Sequence, residues 1–290
     1  MLQLSHRMRA VAGLVGSGGS LADVGTDHGY IPVYLVKQGR IRHVIAADIN
    51  EGPLARAREH ILAYHLEDQI ETRLSDGLRE IRPGEVQSVV IAGMGGPLMV
   101  RILSDGQKVL EFCEELVLQP QSHIREVRSW LWEHSWQITA EDLVLEDEKF
   151  YPMMRVVRTG AGNGTDHCAR GREVINESGS CDKVQDQAKE SGSGVRDREP
   201  FNEPDGISAA GISAAQLHEL GLCYGPLLLR QKHPLLGSYL KREETLKLRV
   251  LQSLDGKHTE AAVQRRLELA GELELLHKAR VFLSVDAVKH

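Results

Sequence analysis

The 290-residue sequence has few cysteines and no long apolar run. Its four cysteines, Cys113, Cys168, Cys181 and Cys223, form no CxxC pair and show no zinc-ligand spacing. In a chain of this length they indicate reduced thiols rather than a disulfide framework. No stretch approaches the ~18 consecutive apolar residues of a membrane span, and the N-terminus lacks the apolar segment of a signal peptide. We therefore expect a cytoplasmic protein with no metal site and no membrane anchor.

Three common catalytic or nucleotide-binding motifs are also missing. The sequence contains no P-loop, no G-x-S-x-G nucleophile motif and no three-glycine dinucleotide fingerprint. The formal net charge of -6 argues against indiscriminate nucleic-acid binding, although it leaves room for a local basic patch. A hydrophobic content of 41% supports a packed core over most of the chain.

Apolar strands alternate with amphipathic helices through the first half of the chain. This alternation predicts an α/β fold with a mostly parallel, Rossmann-like sheet covered by helices on both faces. Two alternating segments after residue 135 predict an antiparallel pair that closes the sheet. The predicted strands are 21–25, 43–48, 70–77, 86–93 and 114–120, and the predicted helices are 4–15, 30–39, 52–65 and 123–135.

The composition changes sharply after Gly160. Residues 161–206 are rich in Gly, Ser, Asp, Glu and Asn, which is typical of a disordered insert. Apolar residues at helical spacing return in the tail, in two stripes on either side of Asp255-Gly256. We therefore expect a domain over 1–160, an insert over 161–206, and a helical domain over 207–290 that forms a hairpin or short coiled coil.

The glycine-rich stretch D-V-G-T-D-H-G-Y follows the first predicted strand. Its glycines allow a tight turn and a close approach of the backbone to a ligand. Asp23 and Asp27 would repel a pyrophosphate, so this turn suits a ligand that carries positive charge and an amino group. The plainer interpretation is a strand-to-helix turn with a helix cap.

Two further acids follow the next two predicted strands. Asp48 ends the second strand, where an acid can accept hydrogen bonds from both hydroxyls of a ribose. The alternative is that Asp48 caps the following helix. Asp76 follows the third strand in the sequence S-D-G, where it could accept a hydrogen bond from an adenine amine or simply belong to a common turn. The order of these acids along the chain favours a nucleoside-containing ligand.

The stretch I-A-G-M-G-G ends the fourth predicted strand, which we expect next to the first strand. So little side chain suggests that a ligand approaches the backbone there. Gly95 and Gly96 would leave room for a flat base, and Met94 would pack either on the ligand or in the core. Gln119, after the fifth strand, borders the same crevice and could hydrogen-bond a base edge.

The segments LADVGTDHGYIPVYL, AADIN, SDGL, IAGMGG and LQP resemble the bacterial tRNA (adenine-22-N1)-methyltransferase family. The resemblance is strong over residues 1–160 and looser over about 205–280. It implies a class I methyltransferase domain that uses S-adenosyl-L-methionine, followed by a helical coiled-coil domain, with tRNA as the partner. The insert at 161–206 departs from this compact family.

The resemblance also implies roles for individual residues. In the donor site it places Asp23, Gly25, Thr26, Asp27, His28, Asp48, Ile49, Asn50, Asp76, Gly77, Gly93 and Met94. Between the donor and the target base it places Gly93, Met94, Gly95 and Gly96. Asp27 is our candidate to stabilise the positive charge that develops on the base, or else to bind the amino group of the donor. The expected RNA contacts are Arg7, Arg9, Gln119, Lys241, Arg242, Lys247 and Arg249, although a solvated coiled-coil surface would look similar.

Two other functions remain open from the sequence. One is a nucleotide-dependent oxidoreductase on a Rossmann-like sheet, which the acidic glycine turn disfavours. The other is a methyltransferase-like scaffold that binds RNA without turnover. The sequence leaves open the oligomeric state, the accepted tRNAs and the role of the insert.

Overall fold

The computed structural model describes residues 3–159 and 212–284. The expected insert at 161–206, and with it both predicted domain boundaries, lies outside these residues. The described residues form seven strands and ten helices. The strands are β1 Ser20–Val24, β2 His43–Asp48, β3 Ile70–Leu74, β4 Ser88–Met94, β5 Glu115–Pro120, β6 Trp136–Glu146 and β7 Lys149–Arg158. The helices are α1 His6–Leu14, α2 Tyr30–Lys37, α3 Glu51–Ala63, α4 Gly96–Asp105, α5 Gln107–Leu110, α6 Ile124–Glu133, α7 Ala214–Tyr224, α8 Pro226–Arg230, α9 Leu236–Ser253 and α10 Glu260–Ser284.

All seven strands belong to one sheet in the order β3-β2-β1-β4-β5-β7-β6. The first five strands run parallel, while β7 is antiparallel to both β5 and β6. The predicted fold class and the closing antiparallel pair are therefore confirmed. Because the strand order reverses between β1 and β4, their carboxyl ends border the crevice in which α/β proteins bind ligands.

Successive residues of the central strands pack on opposite faces of the sheet. In β4, Val89 and Ile91 join the core under α4 and α6, whereas Val90 joins the core under α1, α2 and α3. All three side chains are fully buried. Burial on both faces explains why this strand is continuously apolar in sequence.

A third hydrophobic cluster joins the C-terminal helices to the outer edge of the sheet. It contains Leu143 of β6 together with Leu228, Leu240 and Leu276 of the later helices. Helices α9 and α10 form an antiparallel hairpin, in which Lys247 donates to Glu272 at 2.7 Å. The helical hairpin predicted on either side of Asp255-Gly256 is present.

Most predicted element boundaries differ from the structure by one or two residues, and the end of β3 differs by three. Strand β3 ends at Leu74 rather than at residue 77, because the Ser75 hydroxyl donates to the Gly77 carbonyl and shapes a turn. The short helix α5 was not predicted, since four residues carry no periodic signal. No helix among the described residues has the length and apolar character needed to cross a membrane.

Candidate active site

The glycine turn after β1 lies at the centre of the sheet. Its Gly25 and Thr26 amides donate to the Ala47 carbonyl at 2.8 and 3.0 Å, which holds the turn against the end of β2. Gly25 has a φ of +79° and Gly29, at the N-terminus of α2, has a φ of +66°. Glycine adopts these left-handed conformations without strain, which explains the spacing of the motif.

Asp23 is buried beneath this turn, with only 5% of the residue exposed. Burial raises the pKa of its carboxyl to about 6, the nearby Asp48 charge raises that pKa further, and the Thr26 hydroxyl opposes the rise. A buried carboxylate of this kind is stabilised by a cation placed next to it. Asp23 therefore suits the positively charged part of a ligand.

Asp27, by contrast, is exposed. Its Oδ1 accepts a hydrogen bond from Arg56 of α3 at 2.9 Å and lies 3.7 Å from His28 Nε2. The His28 carbonyl in turn contacts Nδ1 of His60 at 3.0 Å. The residue predicted to meet developing positive charge is thus at the rim, where a guanidinium already shares its carboxylate.

Asp48 ends β2 as predicted, and the exposed Ile49 follows it. Asp48 Oδ1 accepts from the Asn50 amide at 2.8 Å, forming a local turn. Asn50 occupies the N-cap of α3, and its side chain makes no capping hydrogen bond. The alternative that Asp48 caps α3 is therefore not what the structure shows.

Asp76 follows β3, but both of its carboxylate oxygens face arginines. Oδ1 accepts from Arg101 of α4 at 3.0 Å, and Oδ2 lies 3.3 Å from Arg79. The adjacent Gly77 has a φ of +65° and packs against Ile102. An adenine amine would have to share Asp76 with these guanidinium groups, which the sequence did not indicate.

The glycines of I-A-G-M-G-G serve two different purposes. Gly93 has a φ of +80° at the end of β4, and the next residue, Met94, places its methyl group against Gly25. A side chain on Gly96 would meet the Ser122 carbonyl oxygen at 2.5 Å. The expectation that Gly96 makes room for a base is therefore wrong, because the loop after β5 fills that space.

Gln119 is completely buried, which corrects the prediction that it reads a base edge. Its Oε1 accepts from the Gly93 amide at 3.1 Å and from Arg7 Nη1 at 3.0 Å. Its Nε2 donates to the Pro120 carbonyl at 3.2 Å. Gln119 thus ties the ends of β4 and β5 to helix α1, and RNA cannot reach it in this structure.

A cavity of about 230 Å³ opens between these segments. It brings together six of the predicted donor-site residues, and Met8 and Val11 of helix α1, which the sequence did not single out as site residues, also line it. The six are Asp23, Gly25, Thr26, Asp27, His28 and Gly93. Asp48 and Asp76 lie outside its lining, at the ends of the two strands beyond β1.

The basic residues predicted to contact RNA on the tail differ in their availability. Lys247 is held by Glu272 and Glu243 within the hairpin, and Arg242 donates to the Glu148 carbonyl. Lys241 and Arg249 are exposed and form no ion pair with any residue in 3–159 or 212–284. Lys241 and Arg249 are therefore the two whose side chains bind neither a carboxylate nor a carbonyl of the described residues. Over the same two ranges, no group of three acidic, His or Cys side chains could hold a metal ion.

The strand order, with a crevice at the carboxyl ends of β1 and β4, is that of the class I methyltransferase fold. The methyltransferase domain model matches residues 4–154, more than half of the chain. The chain belongs to this family of methyltransferase domains.

Among curated proteins, the chain is similar to tRNA methyltransferases. Over 153 residues the chain is 37% identical to the tRNA (adenine(22)-N(1))-methyltransferase of Bacillus subtilis, an alignment that covers 53% of this chain and 64% of that protein. This chain therefore spans just under two thirds of the length of that relative. A provisionally assigned tRNA methyltransferase of Mycoplasma pneumoniae is 34% identical to this chain. That alignment covers 54% of this chain and 73% of the relative.

A solved structure extends the likeness to the C-terminal helices. The crystal structure of the Bacillus subtilis m1A22 tRNA methyltransferase has a TM-score of 0.71 and 27% identity, with 96% of this chain and 99% of that chain covered. A candidate enzyme of the same kind from Streptococcus pneumoniae, crystallised with S-adenosyl-L-methionine, gives 0.68 and 26% identity over 96% and 99% of the two chains. The family resemblance stated from the sequence is confirmed.

Proposed function

We propose that this protein transfers a methyl group from S-adenosyl-L-methionine to N1 of an adenine in tRNA, at position 22. The buried Asp23 carboxylate in a crevice shared with Gly25 and Gly93 is the observation that carries the proposal. It offers a negative charge at the place where the glycine turn admits a cationic donor. The substrate assignment rests on the relatives named above, whose own descriptions give tRNA and adenine 22. Such an enzyme works in the cytoplasm, with tRNA.

The residues of the crevice fit this donor. Asp23 and Asp27 provide anionic groups for an ammonium and a sulfonium, and Asp48 has a carboxylate oxygen, Oδ2, that makes no hydrogen bond to the described residues and can serve a ribose. The exposed Ile49 offers an apolar surface beside it. When bound, this donor would supply a methyl group on a sulfonium and would leave as S-adenosyl-L-homocysteine. Because adenine N1 carries an in-plane lone pair and no proton at neutral pH, no residue of this chain has to act as a base first.

The tasks left to the protein are positioning and electrostatics. Gln119 holds the Gly93 amide, and the Ser122 carbonyl accepts from the Gly96 amide at 3.0 Å, so the loop between donor and base is held in place from both ends. Positive charge moves from the donor to the adenine ring during transfer. Asp27, at the rim of the cavity, is placed to stabilise that charge.

The test uses labelled S-adenosyl-L-methionine and an unmodified tRNA transcript, followed by digestion to nucleosides. We expect labelled 1-methyladenosine, and no label in a matched transcript with guanosine at position 22. Label in another nucleoside would contradict the proposed target, adenine 22. Donor binding without any methyl transfer would favour a non-catalytic scaffold that binds RNA.

Asp27→Asn separates the two roles open to Asp27. If Asp27 acts on the base, the variant binds the donor with unchanged affinity while methyl transfer slows at least tenfold. Asp48→Asn is the comparison, since we expect it to weaken donor binding itself. Equal losses of donor affinity and of transfer in Asp27→Asn would show that Asp27 is only a donor ligand.

A further inference from the structure

Gln121 is the first residue after β5, and its backbone is fixed while its side chain is free. Strand β5 ends at Pro120, and the Gln121 amide donates to the Met94 carbonyl, at the end of β4, at 2.8 Å. The Gln121 side chain is exposed and makes no hydrogen bond to any residue within 3–159 or 212–284. A side-chain amide on such an anchored backbone is available to a ligand and loses little freedom on binding it.

The side chain of Gln121 reaches Gly93. Apart from the chain neighbours of this glycine, two side-chain atoms of the described residues come within 4 Å of a Cβ placed on it. They are Gln121 Nε2 at 3.8 Å and Arg7 Nη1 at 3.6 Å. A guanidinium only donates hydrogen bonds, whereas a side-chain amide also has an oxygen that accepts them. The Gln119 oxygen already accepts from the Gly93 amide and from Arg7, so the free acceptor beside Gly93 is that of Gln121.

The strand order separates Gln121 from the acids of the proposed donor site. The sheet has the order β3-β2-β1-β4-β5, and Asp76, Asp48 and Asp23 belong to the ends of the first three of these strands. Gln121 follows β5, two strands beyond β1, which is about 10 Å along the edge of the sheet. A donor held by the acids of β1, β2 and β3 leaves the end of β4 and β5 to the methyl acceptor.

The chemistry of the proposed acceptor calls for a hydrogen-bond acceptor at this place. The exocyclic N6 amine of adenine is a donor and lies next to N1 on the ring. Methylation of N1 makes the ring cationic, and part of that charge resides on N6, so the amine becomes a stronger donor as the methyl group is transferred. An acceptor beside N6 therefore stabilises the transition state more than the bound base, and it leaves the lone pair of N1 free.

We propose that the side-chain oxygen of Gln121 accepts a hydrogen bond from the N6 amine of the target adenine and so positions N1 for methyl transfer. This assignment rests on the proposed function and deepens it. It gives Gln121 the contact with a base edge that the sequence predicted for the buried Gln119. Guanine in the same place presents the acceptor O6 and a protonated N1, so it neither donates to the Gln121 oxygen nor offers a lone pair at N1.

The experiment removes one group on each side of this contact. Full-length tRNAs carry either adenosine or purine riboside at position 22, and the purine lacks the amine but keeps N1. Single-turnover rates and KM for methyl transfer are measured for the full chain and for Gln121→Met, which has a similar volume and no amide. We expect Gln121→Met to slow transfer to the adenosine RNA about tenfold and transfer to the purine RNA less than about twofold. Because purine N1 is the weaker nucleophile with any variant, the comparison is made between proteins on the same RNA.

Two further variants are controls. Gln121→Glu keeps an oxygen acceptor, so it should retain the preference for the adenosine RNA over the purine RNA. Gln137→Ala changes an exposed glutamine at the start of β6, which runs parallel to β5 and therefore begins at the edge of the sheet away from the crevice. This variant should leave both rates unchanged.

The remaining outcomes would contradict the assignment, each in a different way. Equal slowing on the two RNAs in Gln121→Met would show that Gln121 only supports the loop after β5. Unchanged rates on both RNAs would show that the amine meets another group. If the unaltered protein transferred no methyl group to the adenosine RNA, the proposed function itself would fail.

Discussion

Arg128 of α6 and Glu141 of β6 form an almost completely buried ion pair, with Nη2 2.8 Å from Oε1. Both partners also bind the C-terminal helices. Arg128 Nη1 donates to the Leu222 carbonyl at the end of α7, and Glu141 Oε2 accepts from the Leu227 amide at the start of α8. The pair therefore joins the sheet domain to α7 and α8, and cutting the chain after the sheet would remove these backbone partners of Arg128 Nη1 and Glu141 Oε2.

Glu141→Gln should strongly destabilise the protein. It leaves the Arg128 charge buried without a counter-ion, which costs about 3–5 kcal/mol in comparable cases. Urea unfolding of the full chain measures the effect. The matched control is Arg125→Ala, which removes an exposed pair between α6 and α7 and should cost about 0–1 kcal/mol. Similar losses in the two variants would contradict the importance of the buried pair.

Gly96→Ala should destabilise the loop between donor and base. The added methyl would lie 2.5 Å from the Ser122 carbonyl oxygen and 2.8 Å from that of His123, and backbone atoms cannot rotate away. We expect a loss of about 1–3 kcal/mol in unfolding free energy, together with slower methyl transfer. Gly13→Ala, in α1 with open space around it, should be neutral or stabilising by up to ~1 kcal/mol. Full stability in Gly96→Ala would show that the β5 loop moves freely.

Donor affinity should rise with pH through the titration of Asp23. Burial raises the pKa of this carboxyl to about 6, so it is largely protonated below that pH in the free protein. Since the ionised form binds a cation better, the donor dissociation constant should fall as pH increases from about 5 and level off above about 6. Calorimetric titration over this range measures it. The Asp23→Asn variant should bind the donor more weakly, and its dissociation constant should not change with pH. If the dissociation constant of this variant still falls as pH rises, another group is responsible for the pH dependence.

Lys241 and Arg249 should contribute to tRNA affinity, whereas Lys247 should not. The first two charges are exposed on α9, while Lys247 is already paired with Glu272. Each of Lys241→Ala and Arg249→Ala should weaken tRNA binding and lower the salt dependence of log K by about one. Filter binding over a series of salt concentrations, with the full chain, gives both quantities. A loss in Lys247→Ala equal to that of the other two would indicate that the hairpin affects binding through its fold.

Local patterns in the sequence were enough to locate β2 and the glycine turn after β1. The segment His43–Asp48 was predicted to the residue, because a continuous apolar run that ends in an acid is a short-range signal. The same holds for the turn at Gly25, whose conformation depends on its own residue type. The predicted donor-site residues of this turn and Gly93 do line one cavity, since the carboxyl ends of neighbouring parallel strands meet at one edge of the sheet.

Only the tertiary structure decided which polar side chains are free to act. Arg101 reaches Asp76 from 25 residues along the chain, and Arg7 reaches Gln119 from 112 residues away. Neither contact leaves a periodic or compositional trace in the sequence. The sequence determined the order of strands, turns and acids because each depends on near neighbours. The burial of Gln119, its contact with Arg7 and the close packing around Gly96 depend on distant segments, so only the folded chain determines them.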